Sequence, residues 1–185
     1  NSSNQNYNFL YLISGISAKK SYPSGEYYLR INPSAGALYP NEVYFQVRNV
    51  DGFEDGIYHL EVGSSSAVLL KKFEKNEGIE NFLRLSYSVD GFIFFISSIY
   101  FRSSWKYKNR AFRYCLLDAG HLIGTMEASS YLFDKKFEVL YDFSKEKLNE
   151  FFSFDEKEFF TSVVIVGDKK ESKKESFSLT LPTLD

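Results

Sequence analysis

The segment Asn32-Pro33-Ser34-Ala35-Gly36-Ala37-Leu38-Tyr39-Pro40 sets two prolines and a run of small residues between polar and aromatic flanks. Ala and Gly add almost no side-chain bulk, and Gly36 can take left-handed backbone, so other groups can approach this backbone closely. Pro33 and Pro40 fix their own φ and push Asn32 and Tyr39 toward extended geometry. The segment therefore reads as a stiff, hydroxyl-bearing loop, suited to lie against a flat ligand. A rigid surface turn satisfies the same pattern.

Outward from this loop the chain alternates strand and helix signals. On the N-terminal side, Phe9 to Ile16 reads as the end of a helix that stops near Gly15, and Lys19 to Glu26, with Pro23 and Gly25, as an exposed loop. On the C-terminal side, Glu42 to Val47 predicts a strand ended by the Asp51-Gly52 turn. A second strand, Gly56 to Val62, forms a hairpin with it, and Ala67 to Leu70 makes a short third. Ile79, Phe82, Leu83 and Leu85 are spaced for a helix over Gly78 to Tyr87. The run Phe92-Ile93-Phe94-Phe95-Ile96 is far too short to cross a membrane as a helix and predicts a strand buried on both faces. Ala111 to Leu132 reads as one long helix, with Cys115, Ala119, Leu122, Ile123 and Met126 near one stripe. Gly120 and Gly124 inside it each cost roughly 1 kcal/mol against Ala, which points to close contact with another backbone or a ligand. Ser144 to Phe152 predicts a further helix with Ser144 as N-cap, and Thr161 to Gly167 a central strand. The expected fold is α+β: a mainly antiparallel sheet flanked by helices, one of them long and central. One domain spans 1–167, and 168–185 is a charged C-terminal tail.

Composition excludes several functions. The 185 residues fit one ordinary domain. Net charge is −2 with no basic stripe, so nucleic acid is not an expected partner. The single Cys115 cannot form an intrachain disulfide and fits a cytoplasmic setting. Two histidines and one cysteine are too few for a structural zinc site. Neither a Walker loop nor a Gly-x-Gly-x-x-Gly fingerprint occurs. Cys115 and His121 could form a Cys–His pair, but the apolar stripe makes Cys115 a buried, inert thiol. His59 reads as a surface or cross-strand residue. The aromatic fraction of 18% follows in part from residue types that AT-rich coding favours, so it does not by itself signal stacking.

One cluster carries chemistry. Arg102, Lys106, Lys108, Arg110 and Arg113 interleave with Trp105, Tyr107, Phe112 and Tyr114 just before the long helix. Arginines at a helix start can hold an anion. An ammonium beside a phenol, as in Lys106-Tyr107, makes the phenol a better base. A solvated basic turn with aromatic packing is the plainer reading of the same spacing.

Pro33 to Pro40 and Trp105 to His121 together resemble the two signatures of SagB-type azoline dehydrogenases in the nitroreductase superfamily. Gly56-Ile57-Tyr58-His59 resembles the short Gly-Leu-Tyr-His strand found between them, and the resemblance spans about Phe9 to Gly167. It implies a nitroreductase-like fold, an intertwined homodimer and FMN at the interface. The implied reaction oxidises thiazoline or oxazoline rings in ribosomal peptides, with a peptide substrate and a cyclodehydratase partner. By the same resemblance, Pro33, Ser34, Ala35 and Gly36 would lie along the flavin ring. Arg30, Arg110 and Arg113 would serve its polar tail. Lys106 and Tyr107 would remove the azoline proton. Two family features are not found: an Arg-Arg-Ser-type phosphate segment before Phe9, and a Gly-Leu-Gly-like turn after the long helix, where Leu132 to Phe137 stands instead. Some relatives carry tandem domains, one of them degenerate. A flavin-free scaffold and a generic NAD(P)H-dependent nitro- or quinone reductase are therefore the alternative readings.

Overall fold

A computed structural model describes residues 2–171. Alternation of buried side chains explains its layering. Along β3 (Asn41–Arg48), Val43, Phe45 and Val47 face one side of a sheet, while Tyr44 and Gln46 face the other. The long strand β6 (Tyr87–Ile99) does the same, with Phe92, Phe94 and Ile96 on the first side and Ile93 and Phe95 on the second. Such a strand must be apolar on both faces, as its sequence is. Each Phe buried in this way contributes ~1.5–3 kcal/mol relative to exposure.

The six-stranded sheet runs β5-β4-β3-β6-β8-β7, with every pairing antiparallel. The other strands are β4 (Gly56–Glu61), β5 (Ser66–Lys72), β7 (Phe137–Leu140) and β8 (Glu158–Glu171). The first face packs against α1 (Ser2–Ser14) and α3 (Ala111–Leu132). The opposite face packs against residues 79–85 and α4 (Lys145–Phe151). At 22 residues, α3 is about 33 Å long, enough to cross the sheet. The α+β expectation and the long helix hold.

Several local expectations do not. Lys19 to Glu26 is not a loop: β1 (Ile16–Tyr22) and β2 (Gly25–Arg30) form a two-stranded antiparallel hairpin. Nearly all its side chains are exposed, so no apolar alternation marks it in the sequence. Gly78 to Tyr87 is not a helix either, although its apolar residues enter the core as their spacing implied. Here Glu80, fully buried, binds Arg48 and accepts from Gln46 Nε2 (3.0 Å) and Val89 N–H (3.4 Å). Gln46 in turn takes the Ile79 N–H at 2.8 Å. A buried charge demands these partners, and meeting that demand outweighs helical propensity.

Strand β8 lies between β6 and the edge strand β7, one place off the centre expected for it. It continues through Asp168 to Glu171, past the expected start of the tail, and 172–185 lie outside the described residues. Among the described residues, no helix is long and apolar enough to cross a membrane.

Candidate functional site

The loop between β2 and β3 bends sharply at three residues. Gly36, Ala37 and Tyr39 all have positive φ, at 65°, 52° and 46°. For the two non-glycine residues this backbone costs on the order of 1 kcal/mol each, so the surroundings must hold it. Four contacts do. Buried Asp118 of α3 accepts from Ser34 Oγ at 2.6 Å and from Ala35 N–H at 3.1 Å. Ser34 Oγ also accepts from Tyr39 N–H at 2.9 Å. The Tyr39 hydroxyl accepts from Arg30 N–H at 2.9 Å, and the Arg30 guanidinium lies 5.0 Å from the Tyr39 ring centroid. Finally, Arg102 donates to the Tyr39 carbonyl at 3.2 Å.

Opposite the loop stands the end of α2 (Phe101–Tyr107). It stops because Lys108 turns to φ 48°, ψ −127°, and a short turn, Lys108–Arg110, leads into α3. A Cβ built on Gly36 would lie 2.5 Å from Lys106 Nζ and 2.7 Å from Tyr107 Oη. Only glycine lets the ammonium and the phenol come this close to the loop. Thus the two segments, about 70 residues apart in sequence, meet at Gly36, and both carry uncommon backbone where they meet, a pattern typical of functional sites. The Tyr107 ring packs at 4.2 Å from Tyr114 of α3, and Lys106 Nζ is 5.5 Å from the Tyr107 ring centroid.

The remaining expected residues are placed less tightly. Pro33 and Gly36 are exposed, while Ser34 and Ala35 are half-buried. Arg110 and Arg113 line an open groove of about 600 Å³ with Phe112, Leu116 and Leu117. Neither they nor Lys106 form an ion pair with another described residue. Arg30 is half-buried against Tyr39. Burial lowers the pKa of its guanidinium, and the charge of Glu42 counters that effect. His121 is exposed on α3. Cys115 is fully buried, and burial pushes its thiol up. Gly120 and Gly124 face open space, and no other described residue makes the close contact that their cost suggested.

Sequence reasoning missed Asp118 and Glu42 as supports of the site. Asp118 carried a signal, being a carboxylate beside Cys115, Ala119 and Leu122 on the buried stripe. Glu42 heads the polar face of β3. It binds Arg102 through Oε1 and His59 through Oε2, the latter at 2.9 Å. Burial opposes its charge, but the bonds from His59 and Arg102 outweigh burial and hold its pKa below the usual carboxylate value. Nearby, burial and the Glu158 charge push the Tyr44 phenol up. Among the described residues no cluster of His, Cys, Asp and Glu could hold a metal ion.

No family model matches the chain. A candidate nitroreductase of Methanocaldococcus jannaschii is 32% identical over 92 residues, which are 49% of this chain and 46% of that protein. A candidate nitroreductase of Anabaena variabilis superposes with a TM-score of 0.79 at 26% identity, over 88% of this chain and 34% of its own. The Escherichia coli microcin synthetase McbBCD complex, with truncated pro-MccB17 bound, gives a TM-score of 0.68 at 18% identity, over 89% of this chain and 63% of that one. The fold is therefore nitroreductase-like. The chain spans about half the length of the curated relative it matches and about a third of the Anabaena chain.

Proposed function

We propose that the chain forms the catalytic part of an FMN-dependent oxidoreductase of the azoline-dehydrogenase type, acting on thiazoline or oxazoline rings in a ribosomal peptide. One observation carries this reading: Lys106 and Tyr107 converge on Gly36, in a place that a side chain there would fill. The residues present fit FMN. Pro33 to Gly36 offer a stiff wall of small residues for a flat ring, and Arg110 and Arg113 offer exposed positive charge for an anionic tail. Arg30, the third candidate for that tail, is engaged by Tyr39 within the loop.

Bound FMN supplies a hydride acceptor. The chain's own residues supply the other half of aromatisation, which removes one proton and one hydride from the azoline. Tyr107 takes the ring proton at its phenolic oxygen. The Lys106 ammonium shares the Gly36 site with that oxygen and sets a positive charge beside the reacting ring. The stiff loop fixes where the reacting ring can sit.

The exposed side of α3 completes the picture. Phe112, Leu116, Leu117 and Tyr131 are 51%, 46%, 54% and 73% exposed, and the open Gly120 and Gly124 lie on the same helix. That surface suits a second copy of the chain, giving a homodimer, or a further domain of a longer chain. The likeness to the Escherichia coli microcin synthetase complex, solved with truncated pro-MccB17 bound, supports a peptide substrate and a synthetase partner such as a cyclodehydratase.

To test this, the purified protein, supplied with FMN, is incubated with a thiazoline-bearing peptide and the product is weighed by mass spectrometry. Loss of two hydrogens per ring is the expected result. A generic flavin nitro- or quinone reductase using NAD(P)H is the second reading, and the likeness to a candidate nitroreductase of Methanocaldococcus jannaschii supports its reductase part. Steady turnover of NADPH with a quinone and an unchanged azoline peptide would select it instead.

A further inference from the structure

We propose that Arg102 is a positioning residue for the Gly36–Lys106–Tyr107 site, held in place by the Glu42–His59 pair. Three elements meet at its guanidinium. Arg102 stands on α2, one turn before Lys106. It donates to the Tyr39 carbonyl of the loop at 3.2 Å and binds Glu42 Oε1 at the start of β3. Glu42 is buried, and its second oxygen is occupied by His59 Nε2 of β4 at 2.9 Å. The His59 ring is itself set 4.8 Å from the ring of Tyr44, its direct partner across the sheet.

This geometry does what neither motif does alone. Tyr39 has positive φ, and relaxing it would move Leu38 and Ala37 and with them Gly36. Its carbonyl is tied to the same helix that carries Lys106 and Tyr107, so the distance between loop and helix is fixed through one side chain. The far end of that tie is anchored in the sheet by a carboxylate with both oxygens engaged. Hydrogen bonds to charged groups are the stronger kind, and one guanidinium nitrogen, Nη1, serves the carbonyl and the carboxylate together. Lysine keeps the charge and the donors, but its compact, strongly hydrated ammonium on a flexible stem holds the two acceptors less firmly.

The proposal rests on the oxidoreductase reading for its consequence, but not for its test. Amide hydrogen exchange of the full chain without cofactor reports the loop directly. Arg102→Ala is expected to speed exchange at residues 34–39 by about tenfold or more, the factor implied by losing a charge-assisted hydrogen bond. Exchange in β6 and β8 stays unchanged. Arg102→Lys recovers part of the protection. Glu42→Gln produces a similar opening, and the double variant opens the loop no further than either single one, because both act through one tie. Unchanged loop exchange in Arg102→Ala, full protection in Arg102→Lys, or additive effects in the double variant would each overturn the role. In parallel, FMN titration of the wild type and Arg102→Ala separates the two ideas. Binding weakened in the variant supports positioning of the site. Failure of the wild type to bind FMN defeats the oxidoreductase reading, while the exchange result still decides the role of Arg102.

Discussion

Lys106→Ala and Tyr107→Phe are each expected to lower the rate of azoline oxidation by about 10²- to 10⁴-fold, the range that a positioned general base contributes. The two changes act differently. Tyr107→Phe removes only the hydroxyl, leaving the ring packed 4.2 Å from Tyr114, so folding and cofactor binding stay close to wild type. Lys106→Ala removes a charge from an exposed side chain at the end of α2, where little stability is at stake. Because both groups border Gly36, the double variant should be scarcely worse than the worse single one. Single-turnover kinetics on FMN-loaded protein would check this. Near-normal turnover in both single variants would remove the assigned roles, whatever the cofactor.

Asp118→Ala is expected to destabilise the chain by about 3 kcal/mol, since two hydrogen bonds to a charged acceptor are lost and a buried region opens. Ser34 Oγ and Ala35 N–H lose their partner, and the left-handed backbone at Gly36, Ala37 and Tyr39 loses the contact that ties it to α3. Asp118→Asn keeps one accepting oxygen and should fall between the two. Urea denaturation measures the cost. The same variant should impair turnover beyond its effect on folding, because the wall of the site is no longer fixed. A loss under about 0.5 kcal/mol, within the range of ordinary surface substitutions, would show that the loop does not depend on Asp118.

Strong local signals in the sequence survived, and those that needed a distant partner did not. The run around Phe94 and the stripe along α3 were legible because burial of both faces, or of one helical face, dictates residue type directly. Residues 78–87 were misread because their spacing of Ile79, Phe82, Leu83 and Leu85 suits a helix, while the backbone is decided by Arg48 and Gln46 on a strand more than 30 residues away. The β1–β2 hairpin escaped notice because nearly all its side chains are exposed, so no alternation of apolar and polar residues marks either face. Within the site, the stiffness of Pro33 to Pro40 was readable from its prolines and small residues. Its closeness to Lys106 and Tyr107 was not, because nothing local marks a contact across 70 residues. Asp118, Glu42 and Arg102 are supports whose purpose emerges only when three elements converge.

Titration of the purified chain with FMN, followed by visible absorbance and by quenching of flavin fluorescence, tests the central claim most directly. The account predicts saturable binding with a shifted flavin spectrum, weakened by Arg110→Ala and Arg113→Ala and retained in Tyr107→Phe. A flavin spectrum and fluorescence unchanged at excess protein would contradict it.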